Sequence, residues 1–105
     1  MIKIKDIVVL EEAVSDLNEG KDFYNAKNPD IGEYFWDSLI ADFESLYIYA
    51  GIHIRKFGFY RMLSKRFPYS IYYNVYNNIA YIAAVLPMRR DPALIVNKIK
   101  KRRKK

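Results

Sequence analysis

The chain has 105 residues, 51% hydrophobic and 29% charged, enough for one hydrophobic core, too few for a second, and folded rather than disordered in composition. The absence of cysteine excludes disulfides, thiolate zinc sites and a cysteine nucleophile. The net charge of +6 conceals a polarity: residues 1–54 carry eleven acids against four bases, net −7, while residues 55–105 carry fourteen bases against one acid, net +13, so the second half is expected to meet something anionic.

Ile2 to Leu10 begins with alternation and ends in the β-branched run Ile7-Val8-Val9, which predicts a strand. Lys3, Lys5 and Asp6 rule this stretch out as a signal peptide, and no apolar run approaches the roughly 18 residues of a membrane span. A cytoplasmic protein without membrane contact is expected.

From Glu11 the period changes to that of a helix. Ala13, Val14, Leu17 and Tyr24 share a stripe, and acids fill the first turn where the helix dipole favours them. Asn28-Pro29 ends this helix. Asp30 and Glu33 have capping-box spacing for a second helix from Ile31 to about Ala50, whose apolar face is built on Phe35, Leu39, Phe43 and Leu46. A short loop between two helices predicts an antiparallel pair.

Gly51 to Gly58 reads as a connector. It holds His53, the sole histidine, so no two-histidine metal site or acid/base pair exists. Phe59 to Arg66 reads as a strand. Phe67 to Tyr76 and Ile79 to Leu86 follow as a β-hairpin around Asn77-Asn78, since asparagine tolerates the positive φ of a two-residue loop. With Tyr76 opposite Ile79, one face carries Phe67, Tyr69, Ile71, Tyr73 and Val75 with Ala80, Ile82, Ala84 and Leu86, and is the predicted core. The other carries Tyr72, Asn74 and Tyr76 with Tyr81, Ala83 and Val85, a tyrosine-rich partner surface or half-covered back. A short helix is expected from Pro92 to about Ile99. The domain is placed at residues 1–97, with 98–105 a basic, frayed tail.

The elements add up to an α+β domain of order β-α-α-β-β-β, a small antiparallel-rich sheet packed by an N-terminal helical hairpin. No P-loop, GxGxxG, HExxH, GxSxG or CxxC pattern occurs, so no metal or nucleotide cofactor is expected. The chemistry that remains is cationic and aromatic. Arg61, Lys65, Arg66, Arg89 and Arg90 flank the strands as candidate target or nucleic-acid contacts, because guanidinium forks suit phosphates and tyrosine faces stack on bases.

These same residues carry a resemblance. The basic lead-in Arg61 to Arg66, the phrase Phe67-Pro68-Tyr69-Ser70-Ile71-Tyr72-Tyr73, a polar turn and a strand closing in Arg89-Arg90-Asp91-Pro92 resemble the C-terminal signature of the RelE/ParE superfamily of type II toxins, specifically the ParE-like, plasmid-stabilisation branch. Glu12-Ala13, Asp16-Leu17, Tyr24 and the helix of Phe35 and Leu39 are similar to that family's helical hairpin, so the resemblance spans roughly residues 6 to 92. It implies a toxin neutralised by a cognate antitoxin whose toxin-binding segment is acidic, with Tyr69, Tyr72, Tyr76 and Tyr81 as antitoxin contacts. It also implies one of two targets. ParE-like members poison DNA gyrase; RelE-like members are mRNA interferases, metal-independent endoribonucleases that cut messenger on the ribosome. In the latter Arg90 would be the catalytic phosphate stabiliser. Two departures favour the first. Ser70 stands where ribonucleolytic members commonly carry arginine, and no tyrosine follows between Ala93 and Lys105. A non-toxic binding module of the same fold is the third alternative.

Overall fold

A computed structural model describes residues 2–89 and 91–103. Its elements in chain order are β1 (Asp6–Val9), α1 (Glu11–Asn25), α2 (Pro29–Glu44), α3 (Leu46–Tyr49), β2 (Ile54–Lys56), β3 (Phe59–Leu63), β4 (Tyr69–Tyr76), β5 (Ile79–Pro87) and α4 (Pro92–Arg103). The strands form one sheet in the order β1-β5-β4-β3-β2, antiparallel except for β1, which runs parallel to β5. The predicted α+β class and helical hairpin stand, with one strand more than expected.

The helical hairpin is set by local chemistry. Asn28, not Asp30, caps α2: its Oδ1 accepts from Asp30 N at 2.9 Å and Pro29 takes the first helical position, where its missing N–H costs nothing. Glu33 therefore serves another end, pairing with Lys21 of α1 at 3.1 Å. The second helix does not continue to Ala50. Ser45 Oγ donates back to Asp42 O at 2.6 Å, and α3 beyond it is a single turn.

The expected connector holds β2. Phe57 and Gly58 both have positive φ, 56° and 87°, forming a two-residue turn that pairs Lys56 with Phe59. The strain of a phenylalanine there is offset by contacts: its ring packs near Tyr72, and Arg55 and Asn74 both donate to Gly58 O. The edge between β3 and β4 is also redrawn. β3 ends at Leu63 and β4 opens at Tyr69, leaving Pro68, which has no donor, outside the ladder.

The hairpin of β4 and β5 turns at Asn77 and Asn78, with φ of 50° and 63°, and Tyr76 opposes Ile79 as predicted. That register persists to Tyr73 opposite Ile82. It then slips by one residue, so that Tyr72 opposes Ala84 and Ala83 is left over in a β-bulge. Face assignments beyond the bulge are corrected accordingly: Val85 joins the helix-side core with Ile71, Tyr73 and Ile82, while Ala84 and Leu86 move to the other face.

That second face is not an open tyrosine surface. Helix α4 lies on it, seating fully buried Ile99 with Phe59, Tyr72, Ala83, Ala84 and Leu86. Burying such a side chain is worth about 1.5–3 kcal/mol, which fixes a helix that carries five bases among its twelve residues. The helix expected to stop near Ile99 runs on to Arg103.

Candidate functional site

Phe67-Pro68-Tyr69 clasps the sheet to the helical hairpin. The Phe67 ring lies 4.9 Å from Tyr24, 5.1 Å from Phe35 and 5.5 Å from Tyr34, centroid to centroid, and Tyr69 packs on Phe35 at 4.9 Å. Gly20 makes room: a Cβ there would stand 2.5 Å from the Phe35 ring. Pro68 O accepts from Met88 N at 2.8 Å, drawing the end of β5 to the same spot. Buried Asp42 of α2 accepts from Ser64 Oγ at 2.6 Å and from Lys65 N, anchoring the loop that holds exposed Lys65 and Arg66.

Beside this clasp, between the C-terminal half of α1 and the ends of β4 and β5, runs a groove of about 690 Å³. Phe23, Tyr24, Tyr69 and Pro87 form its apolar lining and Lys27 and Arg89 its cationic rim, with Lys27 over the Phe23 ring at 5.0 Å. Asp16 and Glu19 line its other end, and the Asp16 charge is committed to Arg102. That guanidinium is buried, which works against its charged form, yet the hydrogen bond and charge of Asp16, with Glu12 and Glu19, outweigh burial and raise its pKa above the ordinary value.

The predicted cations divide. Lys65, Arg66 and Arg89 are exposed at the end of the sheet where the clasp sits. Arg61 is elsewhere, on the α4-side face of β3 opposite Tyr72, half-buried, with its Nε buried and without a hydrogen-bond partner. Arg90 lies outside the described residues. The predicted tyrosines do not share one surface. Tyr69 is buried on the helix side and Tyr72 under α4 near Phe59, whereas Tyr76 is 69% exposed at the hairpin tip. Tyr81 lines a second cleft with Glu11, Glu12, Phe59 and Arg102.

Two features escaped the sequence reading. Phe23 of α1 and Lys27, two residues past its end, line the groove; an apolar residue off the helix's buried stripe was the available signal. His53 is bonded through Nδ1 to the Tyr73 hydroxyl, which also accepts from Gly51 N at 3.0 Å. Burial lowers the His53 pKa, and burial first of all raises that of Tyr73. Among the described residues no group of three or more histidines and carboxylates could hold a metal ion, and no helix is long and apolar enough to cross a membrane.

A sheet clasped to a helical hairpin, with cations around an aromatic groove at one end, defines a small α+β domain with a face suited to macromolecular contact. No family model and no curated protein sequence matches the chain. Among solved structures it is similar to a chain of "Chromosomal ParDE TA system from P. aeruginosa", with a TM-score of 0.72 and 16% identity over 80% of this chain and 96% of that one. The domain has a ParE-like fold, as the resemblance carried by Phe67-Pro68-Tyr69 and Arg89-Arg90-Asp91-Pro92 implies.

Proposed function

We propose that the chain is the toxin of a type II toxin–antitoxin pair, of the ParE-like kind that binds DNA gyrase, held silent in the cytoplasm by a cognate antitoxin with an acidic toxin-binding segment. The observation that carries this reading is the fold held in common with a chain of a ParDE system along 96% of that chain. The exposed cations Lys65, Arg66 and Arg89 at the clasp end support it as target contacts, joined in the proposal by Arg61 and Arg90. Of the proposed antitoxin contacts, Tyr76 and Tyr81 offer surface, while Tyr69 and Tyr72 would act from within the sheet. The buried hydroxyl of Ser70 at the start of β4 supports the non-nucleolytic alternative, because it supplies no cation where a ribonucleolytic site would use one.

The test is induction in a bacterial host without antitoxin, following DNA breaks and messenger cleavage together. Growth arrest with DNA breaks and intact messenger is the expected result. Rapid codon-positioned cuts in messenger with an intact chromosome would replace gyrase by the ribosome, and unaffected growth would remove both.

A further inference from the structure

The sheet separates two layers of opposite charge. Helices α1 and α2, packed on one face, carry ten acids against one base, Lys21. Helix α4, on the other face, carries five bases and no acid. The polarity between the halves of the sequence is thereby a polarity between two sides of the molecule, and a polyanion is drawn to one of them only.

Two contacts fix how α4 is turned. Ile99 is fully buried against the sheet, and Arg102 is held by Asp16 and Ala83 O, so that its charge is spent inside the molecule. Ile95, four residues before Ile99, follows the same stripe inward. The outer face is then Leu94, Asn97, Lys100 and Lys101, all exposed, with half-buried Lys98 on its flank. None of these three lysines has a carboxylate partner among the described residues, whereas a helix built only for solubility intersperses acids with its bases. Arg89, exposed just before the helix, extends the charge beyond the roughly 18 Å of α4 itself.

The composition of this face selects among polyanions. A lipid surface takes a helix that sets apolar residues beside its cations, but Ile95 and Ile99 are turned to the sheet and Leu94 is the one large apolar side chain of α4 left exposed. A protein interface needs an apolar centre, which the face lacks for the same reason. Single strands are held by rings on which bases stack, and α4 contains no aromatic residue. A duplex asks only for cations and amide donors directed at phosphates.

We infer that the outer face of α4 holds the phosphodiester backbone of duplex DNA without reading its sequence, with Lys98, Lys100 and Lys101 on phosphates and the Asn97 amide donating beside them. Such binding needs neither gyrase nor antitoxin, so it stands apart from the toxic activity proposed above.

Fluorescence anisotropy of a labelled duplex of about 20 base pairs, titrated with the full chain between about 50 and 200 mM salt, tests this. The expected Kd is about 1–100 μM near physiological salt, alike for AT-rich and GC-rich duplexes, with log affinity falling linearly in log salt. Lys100→Gln with Lys101→Gln should lower that slope by about 2 and leave the circular dichroism unchanged, since both side chains are exposed. Lys3→Gln with Lys5→Gln removes the same charge at the Asn77-Asn78 hairpin tip and should leave the slope as it is. No binding at about 50 mM salt, or an equal loss in both double variants, would overturn the assignment to α4. Tighter binding of single-stranded RNA, or of phosphatidylglycerol vesicles, would overturn the assignment to duplex DNA.

Discussion

Arg102 of α4 and Asp16 of α1 form a two-point ion pair across the bulge of β5. Nη2 donates to Oδ1 at 3.0 Å and Nη1 to Oδ2, while Nη1 also donates to Ala83 O and Asp16 Oδ2 accepts from Val85 N at 2.9 Å. β1 ends at Val9, opposite Ile82, so these side chains take over the edge of β5 where its parallel neighbour stops.

With side chains only 10% and 4% exposed, the pair is shielded from solvent, and removing one partner leaves the other charge uncompensated. Arg102→Met is expected to lower unfolding stability by about 3 kcal/mol in urea titration. A loss no larger than that of a surface pair, about 1 kcal/mol or less, would show that the bulge needs no such support.

Two glycines should respond oppositely to alanine. Helix propensity favours Ala over Gly by about 1 kcal/mol, but at Gly20 the new methyl meets the Phe35 ring, locked among Tyr24, Phe67 and Tyr69. Gly20→Ala is expected to destabilise by about 1–3 kcal/mol. At Gly32 the obstacle is the free end of the Asn25 side chain, which can swing aside, so Gly32→Ala should be neutral or stabilising; urea titration of the two variants checks both signs.

His53 makes stability depend on pH. Its folded pKa lies below the ordinary 6.5 because burial disfavours the charged ring, so its contribution is fully present above about pH 6.5 and is lost as pH falls through the folded value. The melting temperature should drop on acidification in that window. His53→Asn, which keeps an acceptor but does not titrate, should flatten the drop; a profile identical to the parent would assign it to other groups.

Arg89 and Lys27 rim the groove from exposed positions. Charge reversal, Arg89→Glu or Lys27→Glu, is expected to weaken growth arrest at least about tenfold by viable count while leaving the melting temperature within about 1–2 °C. Undiminished arrest by the soluble variants would remove the groove from the proposed target surface.

The sequence made the helical hairpin and the Asn77-Asn78 turn legible because both are local: a stripe of apolar residues, and two asparagines at positive φ. The slip at Ala83 was not. It carries no glycine signature and is held by Asp16 and Arg102, 86 residues apart in the chain. β2 was hidden for a related reason, since Phe57 adopts a positive φ that its residue type disfavours and that Arg55 of β2 and Asn74 and Tyr72 of β4 sustain. At the candidate site, the Phe-Pro-Tyr phrase was visible as a pattern, but its work as a clasp depends on rings contributed by α1 and α2.

The parallel pairing of β1 with β5 also governs how the chain must assemble. Asp6 meets Ile79 only after α1, α2, α3 and three other strands have been synthesised, so β1 and the apolar face of the hairpin wait for β5 during elongation. Such distant pairing places folding in the slower range for small domains. A nascent chain with Phe35, Leu39 and Phe43 uncovered is sticky, and any partner that shields those residues early would act on yield before it acts on function.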